Sequence, residues 1–393
     1  MADQNFSKIP LLDYSLTLDS ATKAQFIEEL RHALINVGFL YLSNTPVDEQ
    51  LVERLKSHIP NLFALPQEEK DKISKANSPH FLGYSRLGAE LTKGKTDYRE
   101  QFDIGTDHVS RWKPGDPDYL NVWGPSQYPD ENLIPGFRQT MESYLSQVAA
   151  LGTTFITLIA EALGLPPDGL SRFYDTPDRM QHRGKVVQYP VPSERSESDQ
   201  GVGPHYDAGF LTILLQASPH PGLQVQNLSG DWIDAPPIPG TFVINFGRAL
   251  EFATKGIARA TSHRVLSPPI GSSSPRYSVP LFHNIALDVR VRDPKYELEF
   301  PPEILKLRDE RGRFLRRTVR FSVLLLYKFS DVGLMITLPH MPAVNYSEFE
   351  SQPSGMVQLM GRVRSHPDVA QRHYPALFKQ FFPDGLPKQG FAY

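Results

Sequence analysis

The 393-residue chain could hold one large domain or two ordinary ones, and its 40% apolar and 22% charged residues are usual for a water-soluble globular protein. A formal net charge of -3 offers no electrostatic footprint for nucleic acid or for an anionic membrane surface. With no cysteine, disulfides, thiolate-held metals, iron–sulfur clusters and cysteine nucleophiles are excluded together, so a protein-bound metal has to use His, Asp or Glu.

The opening M-A-D-Q-N-F-S-K-I-P lacks a basic start followed by an apolar run, and a cytoplasmic location is expected. Residues 9–14, I-P-L-L-D-Y, read as a short strand. Asp19 or Ser20 caps an amphipathic helix expected to reach about Asn36, with Phe26, Leu30, Ala33 and Leu34 on one stripe and Gly38 after it. F-L-Y-L-S at 39–43 is strand-like. A second helix is expected from Asp48 to His58, and Pro66 opens a third. Residues 77–135 are rich in Gly, Pro, Tyr and Asp and read as irregular chain with short strands. The longest helical pattern, Phe137 to Leu163, is closed by Gly164 and Pro166.

Short strand signals follow, at 184–189, 210–216, 222–226, 240–246, 262–266 and 276–282. Their spacing argues for a sandwich, jelly roll or barrel rather than a parallel α/β sheet. The fold class is therefore α+β, a double-stranded β-helix (jelly roll) core with an N-terminal helical region and flanking helices. The divisions are 1–125, helical and irregular; 126–175, a long supporting helix; 176–300, the jelly roll; and 301–393, an insertion and a C-terminal helix. Phe321 to Leu338 is apolar but broken by Lys328 and Asp331, so no membrane span is assigned.

Val202 to Gln216, V-G-P-H-Y-D-A-G-F-L-T-I-L-L-Q, organises the chemistry. His205 and Asp207 stand two apart, and on a strand such a pair shares a face. An imidazole, a carboxylate and a second imidazole make the facial triad that suits non-haem Fe(II). His263, in T-S-H-R-V, supplies the third donor. A second His-x-Asp, His366-Pro367-Asp368, reads as a helix start whose polar side chains cap the helix and face solvent. Arg276 and Ser278 again share a strand face, and an inward-facing Arg276 implies an acidic ligand.

These motifs, H-Y-D, S-H-R-V and R-Y-S, resemble the Fe(II)/2-oxoglutarate-dependent oxygenases of the isopenicillin N synthase-like branch. Further matches are Y-P at 189–190, G-L-Q-V at 222–225, W-I-D-A-P-P-I-P-G at 232–240 and F-V-I-N-F-G at 242–247; I-P-L-L-D, G-F-L-Y-L-S-N and F-A-L-P-Q-E-E-K match the branch's N-terminal region. The resemblance covers residues 8–290, and the tail G-R-V-R-S-H-P-D-V resembles fungal members. It implies that His205, Asp207 and His263 hold iron, that Arg276 and Ser278 with Tyr189 hold 2-oxoglutarate, and that O2 is consumed with release of succinate and CO2. The expected substrate is a small molecule, as in secondary metabolism, with Phe282 lining its pocket; oligomeric state is left open.

The chain departs from the family where plant members carry Asn-Tyr-Tyr-Pro: here stands Val187-Gln188-Tyr189-Pro190, with Gln188 the candidate stand-in for the missing Asn. Residues 311–343 read as an insertion. G-A-E-L-T-K-G-K-T-D-Y-R-E-Q-F at 88–102 and F-H-N at 282–284 resemble the microbial ethylene-forming enzyme, in which residues matching Glu90 and Thr92 bind arginine. The alternatives are that activity, a ferrous oxidase that dispenses with 2-oxoglutarate, and a non-catalytic binding protein on the same fold.

Overall fold

A computed structural model describes residues 5–92, 94–193, 200–312 and 347–386. The helices are α1 (Ser20–His32), α2 (Glu49–Phe63), α3 (Gln67–Lys72), α4 (Phe137–Ala162), α5 (Arg248–Ala253), α6 (302–312), α7 (Ser354–Ser365), α8 (Pro367–His373) and α9 (Pro375–Phe381). Eight strands form the larger sheet, in spatial order β1 (Leu11–Asp13), β2 (Phe39–Ser43), β12 (Thr241–Phe246), β9 (Leu211–Gln216), β14 (Arg276–His283), β7 (Arg183–Tyr189), β6 (Glu100–Gly105) and β3 (Gly83–Ser85). Four form the smaller one: β11 (Trp232–Asp234), β10 (Leu223–Gln226), β13 (His263–Leu266) and β8 (Gln200–His205). The pair β4 (Leu91–Thr92) and β5 (Lys95–Thr96) stands apart.

Both faces of the larger sheet are covered, which is why its strands read as nearly unbroken apolar runs. On the outer face Ile213, Ile244, Val279 and Leu281 pack with Phe26 and Leu30 of α1, Leu55 and Ile59 of α2 and Phe155 of α4. On the inner face Val187, Tyr189 and Val243 meet Val202, Leu223, Val225 and Val265 of the smaller sheet. Strand alternation therefore turns Arg183, Lys185, Thr212, Asn245, Arg276 and Ser278 inward with that second set.

Local departures have physical reasons. The Asp19 carboxylate caps α1 by accepting from the Ala21 N–H at 2.9 Å. The helix ends at His32, and a wider turn, Ala33–Val37, carries the chain to Gly38 at φ +79. The second helix runs past the expected His58 and through Pro60 to Phe63. Proline costs a helix about 3 kcal/mol; Ile59, Leu62 and Phe63, all buried, return about 1.5–3 kcal/mol each. The stretch from Ser365 expected as one exposed C-terminal helix is two, α8 and α9, and a further helix, α7, precedes it. Leu359, Val363, Val369 and Ala370 bury themselves against Phe81, Val122 and Leu287, which seats α7 against the wall of the cavity beside His205. From residue 313 onward the insertion and the apolar stretch within it lie outside the described residues.

Candidate active site

His205 is the last residue of β8 and His263 the first of β13, and the antiparallel register sets them directly opposite each other, ring centroids 4.2 Å apart. Asp207 lies in the turn beyond β8, so strand alternation is not what aims it. The start of α5 does that: the Arg248 N–H donates to the Asp207 carbonyl at 2.8 Å and the Ala249 N–H to that of Ala208 at 3.0 Å. The approach requires Gly247, where a Cβ would stand 2.2 Å from the Gly209 carbonyl oxygen.

Each donor is oriented by a group behind it. His205 Nδ1–H donates to the Gly203 carbonyl at 2.8 Å and His263 Nδ1–H to that of Thr261 at 3.1 Å. A carbonyl can only accept, so both rings carry a proton on Nδ1 and turn Nε2 inward. Both Nε2 atoms are 3.8 Å from Asp207 Oδ1. Oδ2 is occupied by Thr212 Oγ1 at 2.6 Å and Asn245 Nδ2 at 2.7 Å. Burial, with His263 next to it, lowers His205 to about 3, so its ring is neutral. Burial pushes the Asp207 carboxyl up, but the facing imidazoles and the Thr212 and Asn245 hydrogen bonds outweigh it and leave it below its usual range. The three ligand atoms lie within 4.8 Å of one another.

Further along the inner face, Arg276 is 1% exposed. Its Nη2 donates to Gln216 Oε1 at 3.1 Å, while Nε and Nη1 have no hydrogen-bond partner, and among the described residues no carboxylate pairs with it. Tyr189 is its cross-strand neighbour, the guanidinium centre 5.0 Å from the ring centroid. Ser278, also buried, follows two residues on along β14. Gln188 does not stand in for the missing Asn: it alternates to the outer side and donates to Glu100 Oε1 at 3.1 Å, while Val187, which occupies the Asn position, joins the apolar core.

A cavity of about 270 Å³ opens beside His205 and Asp207, with Phe282 and Asn284 on one wall. Glu90 and Thr92 line it but already have partners. Glu90 is bridged by Arg99 at 2.9 Å and Lys185 at 3.1 Å, and Thr92 Oγ1 donates to Asp97 Oδ2 at 2.7 Å. His366 does not face solvent. It is buried in the cavity wall, Nε2 3.2 Å from Lys75 Nζ, and burial lowers it to about 3. Thr212 and Asn245 were legible as polar interruptions in the apolar runs F-L-T-I-L-L and F-V-I-N-F. The cavity's Gln358, Arg362 and His366 had no such signal, because only the docking of α7 brings them here.

Residues 176–285 match the 2OG-Fe(II) oxygenase superfamily, and residues 9–131 match the N-terminal region of the non-haem dioxygenases in morphine synthesis. The 2-oxoglutarate-dependent dioxygenase frbJ of Dothideomycetidae sp. (strain 11243) is 40% identical over 382 residues, 95% of this chain and 94% of that protein. The chain belongs to the 2-oxoglutarate- and Fe(II)-dependent oxygenases. Other relatives of this oxygenase include the homoarginine-6-hydroxylase 2-ODD-C23 of Glycine max, 33% identical over 73% of this chain and 88% of that one. Among solved structures, a full-length Neurospora crassa protein in complex with alpha-KG and thymine superposes with a TM-score of 0.61 at 26% identity, over 78% of this chain and 97% of that one.

The residues present fit both groups that the family uses. Two imidazoles and one carboxylate, each with its second polar atom tied up, form a donor set suited to Fe(II). The buried, uncompensated guanidinium of Arg276 fits a carboxylate of 2-oxoglutarate, since an arginine keeps its charge and burial without an anion is costly. The oxygenase consumes 2-oxoglutarate and O2 and acts on a small-molecule substrate.

Proposed function

We propose that His205 Nε2, Asp207 Oδ1 and His263 Nε2 hold the iron, and that Arg276 and Ser278, with Tyr189 packed against the guanidinium, anchor the far carboxylate of 2-oxoglutarate. The single observation that carries this reading is the pairing of His205 with His263 across β8 and β13, with Asp207 Oδ1 3.8 Å from both Nε2 atoms. Bound iron and 2-oxoglutarate supply O2 activation, with succinate and CO2 as co-products and an oxidised substrate, hydroxylated or desaturated. The protein's own part is positional. Thr212 and Asn245 stop the carboxylate from rotating, and the main-chain carbonyls of Gly203 and Thr261 stop the rings from flipping. The apolar packing of Val187, Val202, Leu223 and Val225 keeps water from the buried end of the site.

The arginine-directed reading draws support from the homoarginine hydroxylases but none from Glu90, whose carboxylate is already shared by two cations; a substrate guanidinium would enter as a third. The test is anaerobic titration with ferrous iron, then succinate formation in air. The wild type is expected to bind one iron and form succinate. Asp207→Ala is expected to lose both while keeping its circular dichroism spectrum. Iron binding undiminished in that variant would remove Asp207 from the ligand set.

A further inference from the structure

His366 belongs to the chain's second His-x-Asp, and neither the iron nor the 2-oxoglutarate assignment uses it. It stands at the junction of α7 and α8, is 5% exposed, and lines the cavity beside His205 and Asp207. One edge of its ring is committed. Nε2 is 3.2 Å from Lys75 Nζ, and that lysine, itself buried and ion-paired with Asp103 Oδ2 at 2.6 Å, sits behind the wall rather than on the cavity. An ammonium can only donate, so Nε2 accepts and the single proton of a neutral ring is on Nδ1. Burial, with Lys75 beside it, lowers His366 to about 3, which keeps the ring neutral. Nδ1 has no hydrogen-bond partner among the described residues, yet it is not packed out of water's reach, and the space its residue lines is the cavity. Several other donors on the same walls are spent: Arg99 and Lys185 on Glu90, Thr92 Oγ1 on Asp97 Oδ2, and Gln358 Nε2 on Ser354 Oγ.

We propose that His366 is a specificity-determining residue, its Nδ1–H donating to a carbonyl or carboxylate oxygen of the substrate. The proposal rests on the reading above that iron is held by His205, Asp207 and His263. A cavity of about 270 Å³ confines such a substrate to a small molecule, so one hydrogen bond fixes much of its orientation. An uncharged ring does not select by attraction at a distance. It selects by position: an oxygen opposite Nδ1 is paired, whereas a methylene there leaves a buried N–H unpaired, a loss of about tenfold or more in affinity. The donor comes from beyond residue 285, where the match to the oxygenase superfamily ends.

The test uses iron-loaded, full-length protein with 2-oxoglutarate and measures succinate formation above the substrate-free rate. The probes are the standard amino acids, L-homoarginine, thymine and uracil, each of which carries a carbonyl or carboxylate oxygen, and at least one is expected to stimulate turnover. An analogue without that oxygen, such as agmatine for L-arginine, should be about tenfold poorer in kcat/KM on the wild type, a comparison that needs no variant. Two variants then separate the edges of the ring. The amide nitrogen of asparagine stands as many bonds from the main chain as Nδ1, and that of glutamine as many as Nε2. His366→Gln can still meet Lys75 but offers no donor at the Nδ1 position, and should raise KM for the stimulating probe about tenfold with the smaller effect on kcat. His366→Asn restores the donor and forgoes Lys75, and should stay within about threefold of the wild-type KM. A ring that only supports Lys75 gives the reverse order, with His366→Gln the better replacement, and that result would overturn the proposal. So would stimulation by no probe, an analogue as effective as its parent, or an unchanged KM in both variants. Failure of the wild type to bind iron is a different result: it overturns the metal assignment, and the substrate proposal with it.

Discussion

Asn245 and Thr212 show how much of the candidate site lies one atom behind it. Each spends its hydrogen bond on Asp207 Oδ2 and so leaves Oδ1 facing the two imidazoles. Loss of such a supporting bond characteristically costs about 10- to 100-fold in metal affinity. Asn245→Ala is therefore expected to weaken ferrous iron by that factor with little change in melting temperature, as measured by anaerobic titration. Arg276 is a different case, since it touches none of the three proposed metal ligands. Truncating one partner of a buried charge pair costs about 2–5 kcal/mol. Arg276→Ala is expected to weaken 2-oxoglutarate by that amount while iron affinity stays within about threefold. Equal losses of both ligands would argue against the clamp.

At the scale of elements, the site depends on how α5 begins. Its first N–H groups grip the carbonyls of Asp207 and Ala208, and Gly247 lets the helix approach the 206–210 turn. Gly247 is not in a left-handed conformation (φ -101), so its requirement is steric rather than conformational. Gly247→Ala would press a methyl group onto the Gly209 carbonyl, main chain that cannot swing aside. The expected result is a folded protein with iron affinity reduced at least about tenfold, checked by metal titration beside circular dichroism. Unchanged affinity would mean that the turn tolerates the shift. The strand pair β8–β13 works in the same way, since its register alone decides that His205 and His263 stand opposite each other.

Taken whole, the molecule buries several histidines far from their preferred charge state, and acid should expose this. His182, 9% exposed, is lowered by burial from its ordinary 6.5 to about 4. A folded-state value below the unfolded one means that between those limits the unfolded chain takes up a proton that the folded chain refuses. This contribution is fully present above pH 6.5 and is lost as pH falls toward 4, at up to about 1.4 kcal/mol per pH unit. The stability difference between His182→Gln and the wild type should therefore move in the variant's favour as pH drops from 7 to 5, read from urea unfolding midpoints. A difference that stays constant with pH would show that His182 is not held neutral.

The sequence by itself determined the elements and the chemistry class. Short β-branched and apolar runs broken by Gly and Pro specify strands whichever sheet they join, and the absence of cysteine leaves only His and carboxylate for a metal. It also marked the three side chains that the fold brings together, because H-Y-D and S-H-R-V stand next to strands. It could not say that Asp207 is aimed by a turn, that Gln188 faces outward, or that His366 is buried beside Glu90 rather than exposed at a helix start. Those facts depend on register and docking, in which one residue of slip or a few ångströms of helix placement reverses the direction of a side chain. Helix α7 is the clearest instance. Only its seat on Phe81, Val122 and Leu287 carries Arg362 and His366 into the cavity wall. A contact between residues far apart in the chain has no local signature, because it is decided by the packing of whole elements rather than by neighbours in sequence.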